Sequence, residues 1–399
     1  MQRRWNELAE HKRRWLLTIG VHLLLAPFFE PTYVTLCAPA ARVFYNAGEV
    51  LSTLIVSGIF LWNVVQKKRL SGAMIALFAL EGWMSVDVLI HQGVSKPAFL
   101  GIVSVLVVGM LIETMMSREH AAELLNAFLL LYEILIGLNF LTMLIWPKGL
   151  YHTPNEGWLN WFLGYKNMFL FYYAPALSLE FLNLHRTGKA ARMNIMVLVC
   201  TVSMIIGGST TGIISILVFD VLYISRMYRT RICSILPISL VALAANAVVV
   251  FVDLKRVLTP FLQFVGKEFS FYERIRIWDK MIELIRQHPV LGYGLQSDEV
   301  RGEISGLWTA VKSHNFLIEQ QYCFGIIGTV LFLAFLGVLI VGLHRNRTHP
   351  YAASLCLGMI CYYLLMMMES HINQIPMMSF LFIACFAGQM IEQLKMKTA

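Results

Sequence analysis

Residues 270–328 carry a group of charged side chains, with a histidine, a tryptophan and turn glycines, within an otherwise very apolar chain of 399 residues. Arg274 lies on a segment with helical periodicity, and His314 opens an apolar run of membrane length. A neutral imidazole at a helix N-terminus can accept a proton from a substrate hydroxyl, and the same helix end favours anions. We therefore expect the chemistry of this protein, if it is an enzyme, in this segment.

Arg274, although charged, lies on the apolar face of a predicted amphipathic helix at about residues 270–287. It follows Phe271 by three residues and precedes Trp278 by four, so it shares their apolar face. Its guanidinium must leave that face and point towards a partner, which is either a substrate or the membrane interface. Arg276 lies on the polar face, where an ion pair with a neighbouring carboxylate is the simplest interpretation. His-Pro and then Gly292 to Gly294 predict a sharp turn at the helix end.

His314 and Asn315 precede a helix that carries Gly325 and Gly328. Eleven residues at about 100° each return Gly325 to nearly the same face as His314, so the spacing predicts close helix packing beneath a polar site. A helix-capping interfacial histidine is the alternative interpretation. Lys166-Asn167 places a cation and an amide near the start of another apolar run, and His371 in the Glu369–Asn373 segment is a candidate second histidine.

The composition is that of an integral membrane protein, since 58% of residues are hydrophobic and only 14% are charged, with a mean hydropathy of +0.65. The first apolar run lacks a small-residue cleavage site, which favours an anchor over a signal peptide. The net charge of +8 comes from short loops and indicates orientation rather than nucleic-acid binding. No P-loop, H-E-x-x-H, G-x-S-x-G or metal-spaced Cys/His pattern occurs, and no cofactor or metal is expected.

The hydropathy pattern predicts an all-α fold, with residues 1–399 forming a single polytopic membrane domain of about twelve spans. The predicted spans are 15–35, 46–66, 71–92, 97–117, 121–146, 161–184, 192–208, 210–226, 232–252, 314–342, 350–368 and 374–392. The seventh and eighth are short, and are either two half-length helices or one broken helix. Lys and Arg cluster in alternate loops, which predicts cytoplasmic termini and one large external loop at residues 253–313, between the ninth and tenth helices.

Two motifs resemble those of the bacterial O-antigen ligase and surface-polysaccharide polymerase superfamily. His314-Asn315, nine residues, Gly325, two residues and Gly328 match an H-[NSQ]-x9-G-x-x-[GTY] pattern of O-antigen ligases. Arg274-x-x-x-Trp278 followed by H-P-x-x-G-Y-G resembles the segment shared by the wider superfamily. Gly-Tyr-Lys-Asn at 164–167 resembles a third, weaker signature.

The resemblance implies a metal-independent membrane glycosyltransferase of the GT-C type. Such an enzyme takes a glycan from an undecaprenyl-pyrophosphate donor and transfers it to a hydroxyl of an acceptor. By this resemblance Arg274 would bind the pyrophosphate, and His314 would activate the acceptor or support the leaving group. The predicted substrate-binding residues are Arg276, Arg301, Lys166, Asn167, Asn315, Trp278, Tyr293 and His371.

One departure concerns a mid-chain Ser-Arg that many family members carry. This chain has Ser209-Thr210-Thr211-Gly212 there, without the arginine. Part of the phosphate contact must then come from another cation, and Lys166, Arg276 and Arg301 are the candidates.

The sequence favours a polymerase of lipid-linked oligosaccharide repeats, of the O-antigen, capsule or exopolysaccharide type. A ligase that moves a finished glycan to a lipid or wall acceptor is the alternative, and a lipid-linked oligosaccharide flippase is a further one. The expected setting is the bacterial plasma membrane with the active site on the external or periplasmic side. Expected partners are the lipid-linked donor, a glycan or lipid acceptor and the bilayer, with a chain-length regulator as an optional addition.

Overall fold

The computed structural model describes residues 2–91, 96–153, 158–230, 233–251, 268–308 and 312–394, and these are mostly helical. The α-helices are α1 (Gln2–Leu25), α2 (Thr32–Cys37), α3 (Pro39–Lys67), α4 (Gly72–Ile90), α5 (Lys96–Ser117), α6 (Ala121–Ile145), α7 (Phe169–Thr187), α8 (Ala190–Gly207), α9 (Thr210–Ile224), α10 (Ile235–Phe251), α11 (Glu268–Gln287), α12 (Asp298–Ser305), α13 (Phe316–Arg345), α14 (Pro350–Met366), α15 (Ile375–Cys385) and α16 (Ala387–Gln393). Short 3-10 helices cover Ala26–Phe29, Lys166–Met168 and Met227–Arg229.

Six helices in these ranges are long and apolar enough to cross a membrane, or seven if the pair α15 and α16, bent by 69°, forms one span. The six are Pro39–Lys67, Gly72–Ile90, Phe99–Ser117, Ala121–Ile145, Ala190–Gly207 and Phe316–Arg345. Three shorter apolar helices are Thr210–Ile224, Ile235–Val248 and Pro350–Met366. The chain is therefore an integral membrane protein. The count of twelve spans and the placement of the termini and of the large loop remain predictions.

α7 is the central helix of the bundle, because every residue from Phe169 to Asn183 is buried. It packs against α6, α8, α14 and α15, so little of its surface is left for lipid. The predicted span at 161–184 began too early, since its first residues form a strand and a 3-10 helix. Similarly, the predicted first span at 15–35 is interrupted after Leu25 by a 3-10 helix that contains Pro27.

The weakest predicted pair, 192–208 and 210–226, forms a helical hairpin. α8 ends at Gly208 in a left-handed conformation, and the Ser209 side chain caps α9 by accepting from the Gly212 amide. Thr201 Oγ1 donates to Asp220 Oδ2 at 2.8 Å, which ties the two helices together along their length. The hairpin directs its tight turn, Gly207–Ser209, towards the segment that precedes α7.

An antiparallel sheet of three short strands departs from the all-α prediction. Its strands are β1 (Tyr151–His152), β2 (Leu159–Trp161) and β3 (Gly164–Tyr165), in the order β1-β2-β3, with Trp161 opposite Gly164. Gly164 has a φ of +106°, and a Cβ there would lie 2.7 Å from Thr32 Oγ1. A glycine is therefore required where the sheet meets α2. The sheet leads directly into Lys166 and Asn167.

Candidate functional site

Five polar side chains meet where α14 ends and α7, α9 and α13 begin. Asn167 Nδ2 donates to Glu369 Oε1 at 2.9 Å, and Glu369 Oε2 lies 4.0 Å from His314 Nδ1 and 3.8 Å from His371 Nδ1. Arg274 reaches the same place from α11, because its Nη1 donates to the carbonyl of Met368 at 3.0 Å. We call Glu369, His314, His371, Asn167 and Arg274 the Glu369 cluster.

Arg274 is partly buried, and most of its donors are uncommitted in the described contacts. Among the described residues, only Nη1 has protein partners, the carbonyl and the sulfur of Met368. A guanidinium carries five N–H groups in a planar fork, so the others remain for a ligand. The orientation agrees with the prediction that this side chain leaves the apolar face towards a partner.

His314 has a left-handed backbone, with a φ of +50°. It precedes α13 rather than belonging to it, since Asn315 caps that helix by accepting from the amides of Leu317 and Ile318, each at 3.1 Å. The helical spacing from His314 to Gly325 therefore does not apply, and that part of the prediction is wrong. A non-glycine residue in this conformation is strained and needs its neighbours to hold it.

Ser313 supplies that support through both of its backbone groups and its hydroxyl. Its carbonyl accepts from Trp278 Nε1 at 2.7 Å, and its amide donates to Glu319 Oε2 at 3.0 Å. Its Oγ donates to the carbonyl of Asn315 at 2.8 Å. Trp278 thus fixes the position of His314 relative to α11, while Glu319 fixes it relative to α13.

Arg301 holds Glu319 in place from α12. Its Nη1 and Nη2 donate to the two carboxylate oxygens, the second at 2.7 Å, and its guanidinium lies 4.4 Å from the centre of the Tyr322 ring. Both residues are buried. Burial alone would lower the pKa of Arg301, but the charge of Glu319 and its hydrogen bonds together outweigh burial and raise the pKa. Its charge is thus matched inside the protein, and this arginine does not join the Glu369 cluster.

α13 is broken at Gly325, which has φ +61° and ψ −164°. The break frees carbonyls that then accept from other segments: Tyr322 from the Tyr293 amide at 2.9 Å, Cys323 from the Gly294 amide at 2.8 Å and Phe324 from Trp83 Nε1 at 3.3 Å. In return the Ile326 amide donates to the carbonyl of Pro289 at 2.9 Å.

Glycine is required at the break because a Cβ on Gly325 would collide with the carbonyl of Val290. The predicted close packing at Gly325 exists, but its partner is the His-Pro-x-x-Gly-Tyr-Gly segment rather than a second helix. That segment docks on the break in α13 and so anchors the end of α11, which carries Arg274, against α13.

The electrostatics of the Glu369 cluster favour uncharged groups. Burial, chiefly, and the nearby Arg274 lower the pKa of His314 to about 4, and burial with Lys312 lowers that of His371 to about 3. Burial raises the pKa of Glu369 to about 7, although Arg274 and Asn167 oppose the rise. The contacts of Glu369 with His314 and His371 are therefore not ordinary ion pairs. Both imidazoles are neutral near pH 7, and the carboxyl group titrates in that range.

The turn between α8 and α9, where the resemblance leads one to expect an arginine, contacts Lys166 and Asn167. Lys166 Nζ donates to the carbonyl of Gly208 at 3.1 Å, and Ser209 Oγ donates to Asn167 Oδ1 at 2.9 Å. Lys166 has no carboxylate partner among the described residues. Of the three cations predicted to replace the missing arginine, Lys166 is the one with a described contact to this turn.

The remaining predicted binding residues lie outside the cluster or support it. Arg276 is exposed and pairs with Glu273 at 2.8 Å. Asn315 is buried, caps α13 and donates to Asn246 Oδ1 at 3.1 Å. Trp278 is buried against Ser313, and the Tyr293 ring stacks on Tyr322 with centres 4.9 Å apart. Asn315 and Trp278 thus support the segment that carries His314, and no described contact joins Arg276 or Tyr293 to the cluster.

Three residues of the site carried no assigned role in the sequence analysis. Glu369 is the shared partner of two histidines and an amide, Ser209 orients Asn167, and Lys312 borders the cluster. The only signal for Glu369 was a carboxylate two residues before His371 in a predicted external turn. Ser209 and Lys312 gave no signal, because their roles depend on tertiary contacts.

A cavity of about 450 Å³ adjoins the cluster on the side of His371. Most of the residues that line it are polar, among them Gln296, Asp298, Lys312, Ser370 and Gln374. Such a lining suits a hydroxyl-rich ligand, because it offers donors and acceptors of both charges close to the histidine. In the described part of the chain, no group of three or more His, Cys, Asp or Glu is arranged to hold a metal ion.

Residues 195–333 match the family model described as O-antigen ligase. The match supports membership of the O-antigen ligase and polymerase superfamily. The matched residues include Arg274 and His314 and stop before Glu369 and His371. Membership implies a membrane enzyme of the glycosyltransferase type that uses a lipid-linked glycan donor and an acceptor. No curated protein matches the chain.

Proposed function

We propose that this protein transfers a glycan from an undecaprenyl-pyrophosphate donor to an acceptor sugar hydroxyl, and so polymerises lipid-linked oligosaccharide repeats. The observation that carries the proposal is the meeting of Arg274, with uncommitted donors, and the His314–Glu369 pair at one polar end of an apolar bundle. We place this end at the external face of the bacterial plasma membrane.

Arg274 and Lys166 are the groups that bind the pyrophosphate in this proposal. The reaction separates a pyrophosphate anion from the anomeric carbon, so negative charge grows on the leaving oxygen. Fixed cationic donors that meet this charge in a site with little water stabilise the transition state. Two protein cations supply the positive charge here, and the proposed transfer is therefore independent of a metal ion.

His314 and Glu369 handle the acceptor proton. The bond from the anomeric carbon to the phosphate oxygen breaks while a bond from that carbon to the acceptor oxygen forms. The acceptor proton passes to the neutral imidazole of His314, and the pyrophosphate leaves with the electron pair of the broken bond. Glu369, 4.0 Å from Nδ1, stabilises the imidazolium that forms. The polar cavity beside His371 holds the acceptor sugar.

Ligase activity towards a lipid or wall acceptor is the second candidate, and one observation favours it. The family model that matches residues 195–333 is described as O-antigen ligase. Both reactions use the same donor and differ in the acceptor that enters the cavity. The distinction therefore rests on the acceptor and not on Arg274 or His314.

Purified protein in lipid, supplied only with its lipid-linked repeat unit and EDTA, tests the proposal. We expect a ladder of products of increasing length. The His314→Asn variant is the matched control, because asparagine tolerates the left-handed backbone and removes only the imidazole. It should fold normally and lose the ladder.

Other outcomes change the assignment. Transfer that starts only after a lipid or wall acceptor is added indicates a ligase. Movement of the lipid-linked glycan across the bilayer without transfer to any acceptor would replace the enzyme by a flippase. A ladder that disappears with EDTA and returns with a divalent cation would contradict the metal-independent mechanism.

A further inference from the structure

A second cavity lies at the opposite end of the bundle from the Glu369 cluster. α7 begins beside Asn167 and contains His185 in its last turn, while α13 runs away from His314 to Arg345. Where α7 and α13 end and α10 and α14 begin, these helix ends and the adjoining loops line an open cavity of about 770 Å³. We call it the basic cavity. Nothing in the proposed transfer reaction uses it.

The lining of the basic cavity carries positive and titratable nitrogen groups without a balancing acid. Arg229 and Arg347 line it together with His185, His344 and His349, and none of its described lining residues is Asp or Glu. The hydroxyl group of Thr348 adds a further donor. This set of donors is suited to the oxygens of a phosphate group.

The two arginines lack carboxylate partners in the described part of the chain. Arg347 Nη1 donates only to the carbonyl of His344, at 3.2 Å, and the guanidinium of Arg229 lies 5.6 Å from the centre of the Tyr228 ring. Both arginines are exposed. The charges of the basic cavity are therefore available to a ligand.

The histidines provide a second, independent observation. Nε2 of His185 is buried and has no hydrogen-bond partner among the described residues, while its ring is held 4.7 Å from that of Phe181. His349 Nδ1 accepts from the Tyr351 amide at 3.2 Å, so in the neutral ring the proton lies on Nε2, which is then a donor. A buried ring nitrogen without a partner indicates a missing polar contact.

We propose that the basic cavity binds a phosphate group through Arg229, Arg347 and the neighbouring histidines. Its floor is apolar, with Leu236, Pro237 and Ala353, and the surrounding helices are apolar as well. The phosphate therefore belongs either to the headgroup of an anionic lipid or to a soluble phosphate. Basic sites between membrane helices are known to hold anionic headgroups, so the lipid is the first ligand to test.

Native mass spectrometry of the full chain in detergent distinguishes lipid binding. The probes are dioleoylphosphatidylglycerol and, as the neutral comparison, dioleoylphosphatidylcholine. We expect the wild type to retain the anionic lipid preferentially, and the R229Q/R347Q variant to bind it at least about tenfold more weakly, since it loses two charge-assisted contacts. R345Q is the matched control. Arg345 is the last residue of α13, two residues before Arg347, and it does not line the cavity.

Thermal unfolding in inorganic phosphate, against sodium chloride of equal ionic strength, tests the soluble source. If inorganic phosphate raises the Tm of the wild type but not of R229Q/R347Q, the cavity binds a soluble phosphate. If only the anionic lipid distinguishes the two proteins, by its retention in the mass spectra, the cavity binds a lipid headgroup. If R229Q/R347Q binds the anionic lipid as tightly as the wild type and shows the same response to inorganic phosphate, the proposal is overturned. An equal loss in R345Q would do the same, because it would show a non-specific charge effect.

Discussion

Arg301 and Arg274 both lie near the start of α13, but they differ in whether a carboxylate neutralises their charge. Arg301 is buried, and its two terminal nitrogens both bond the carboxylate of Glu319. Arg274 is partly buried, and among the described residues it donates only to the carbonyl and sulfur of Met368, both through Nη1. A buried charge that the protein matches itself supports the fold, whereas one that it leaves incompletely matched is available to a ligand.

The same contrast separates the two carboxylates of this region. Glu319 accepts from Arg301 and from the Ser313 amide, and it holds the segment that carries His314. Glu369 accepts one amide hydrogen bond from Asn167 and faces two imidazoles at longer distances. We therefore assign Glu319 to structure and Glu369 to chemistry, and substitutions can break this assignment.

The largest expected effect is on stability, from Arg301→Met. Removing this partner leaves Glu319 buried and unmatched, which should lower the free energy of unfolding by about 3–5 kcal/mol. Arg301→Met combined with Glu319→Leu removes both charges and should recover most of the loss. Thermal unfolding of the purified variants measures both. If the single variant is as stable as the wild type, Arg301 does not have the structural role given to it here.

Arg274→Gln should produce the complementary result, with activity lost and stability kept. Loss of one positioned donor to developing charge commonly costs about 10²- to 10³-fold in turnover. The Tm should stay close to that of the wild type, because the uncommitted donors of Arg274 contribute little to the fold. Product ladders and unfolding curves from the same preparation make the comparison. Full activity in this variant would remove Arg274 from the site.

Gly325→Ala tests whether the break in α13 is required for docking the His-Pro segment. A side chain there adds backbone strain of about 1–3 kcal/mol and collides with the carbonyl of Val290. Gly337→Ala, in the same helix and with open space around the new Cβ, is the control and should be neutral or slightly stabilising. Equal stability of the two variants would contradict the role of Gly325.

The pH dependence of activity tests Glu369. Its pKa is raised to about 7, mainly by burial, so the carboxyl group is protonated at lower pH and ionised above. If the ionised form stabilises the His314 imidazolium, kcat/KM should rise with pH through about 7, by about tenfold per unit on the acid side. Glu369→Gln should abolish this slope.

Asn167→Ala sharpens the same test. The hydrogen bond from Asn167 lowers the pKa of Glu369 relative to burial alone. Removing it should move the rise in kcat/KM to higher pH while leaving the slope intact. A pH profile that is the same in wild type, Glu369→Gln and Asn167→Ala would exclude Glu369 from proton handling.

Local patterns predicted the main elements near the site. The periodicity around Trp278 predicted an amphipathic helix at about 270–287, and the structure has α11 at Glu268–Gln287. The apolar run after His314 predicted α13, and the glycines of the Gly-Tyr-Gly segment predicted a turn. Each of these signals comes from neighbouring residues and needs no knowledge of the rest of the chain.

Tertiary contacts account for what the sequence did not predict. Ser209 and Asn167 are 42 residues apart and meet only because the hairpin turn docks before α7. The Asn167–Glu369 contact joins residues 202 apart. His314 was placed on a helical face because the pattern continues to Gly325, but the Asn315 cap excludes it from the helix. Arg301 was predicted to bind phosphate because local sequence does not reveal its partner. That partner, Glu319, lies in the next helix.

Trp278→Phe tests whether positioning can be separated from binding. The ring volume is largely kept, but the hydrogen bond from Nε1 to the Ser313 carbonyl is lost. The free energy of unfolding should fall by about 1–3 kcal/mol, because the carbonyl of the buried Ser313 loses its donor. His314 directly follows Ser313, so the left-handed backbone of His314 loses one of its supports. We therefore expect the fall in kcat, expressed as a free energy, to exceed the fall in the free energy of unfolding. Donor affinity should stay near the wild-type value, because Arg274 is unchanged. A loss confined to KM would instead show that Trp278 contacts the substrate itself.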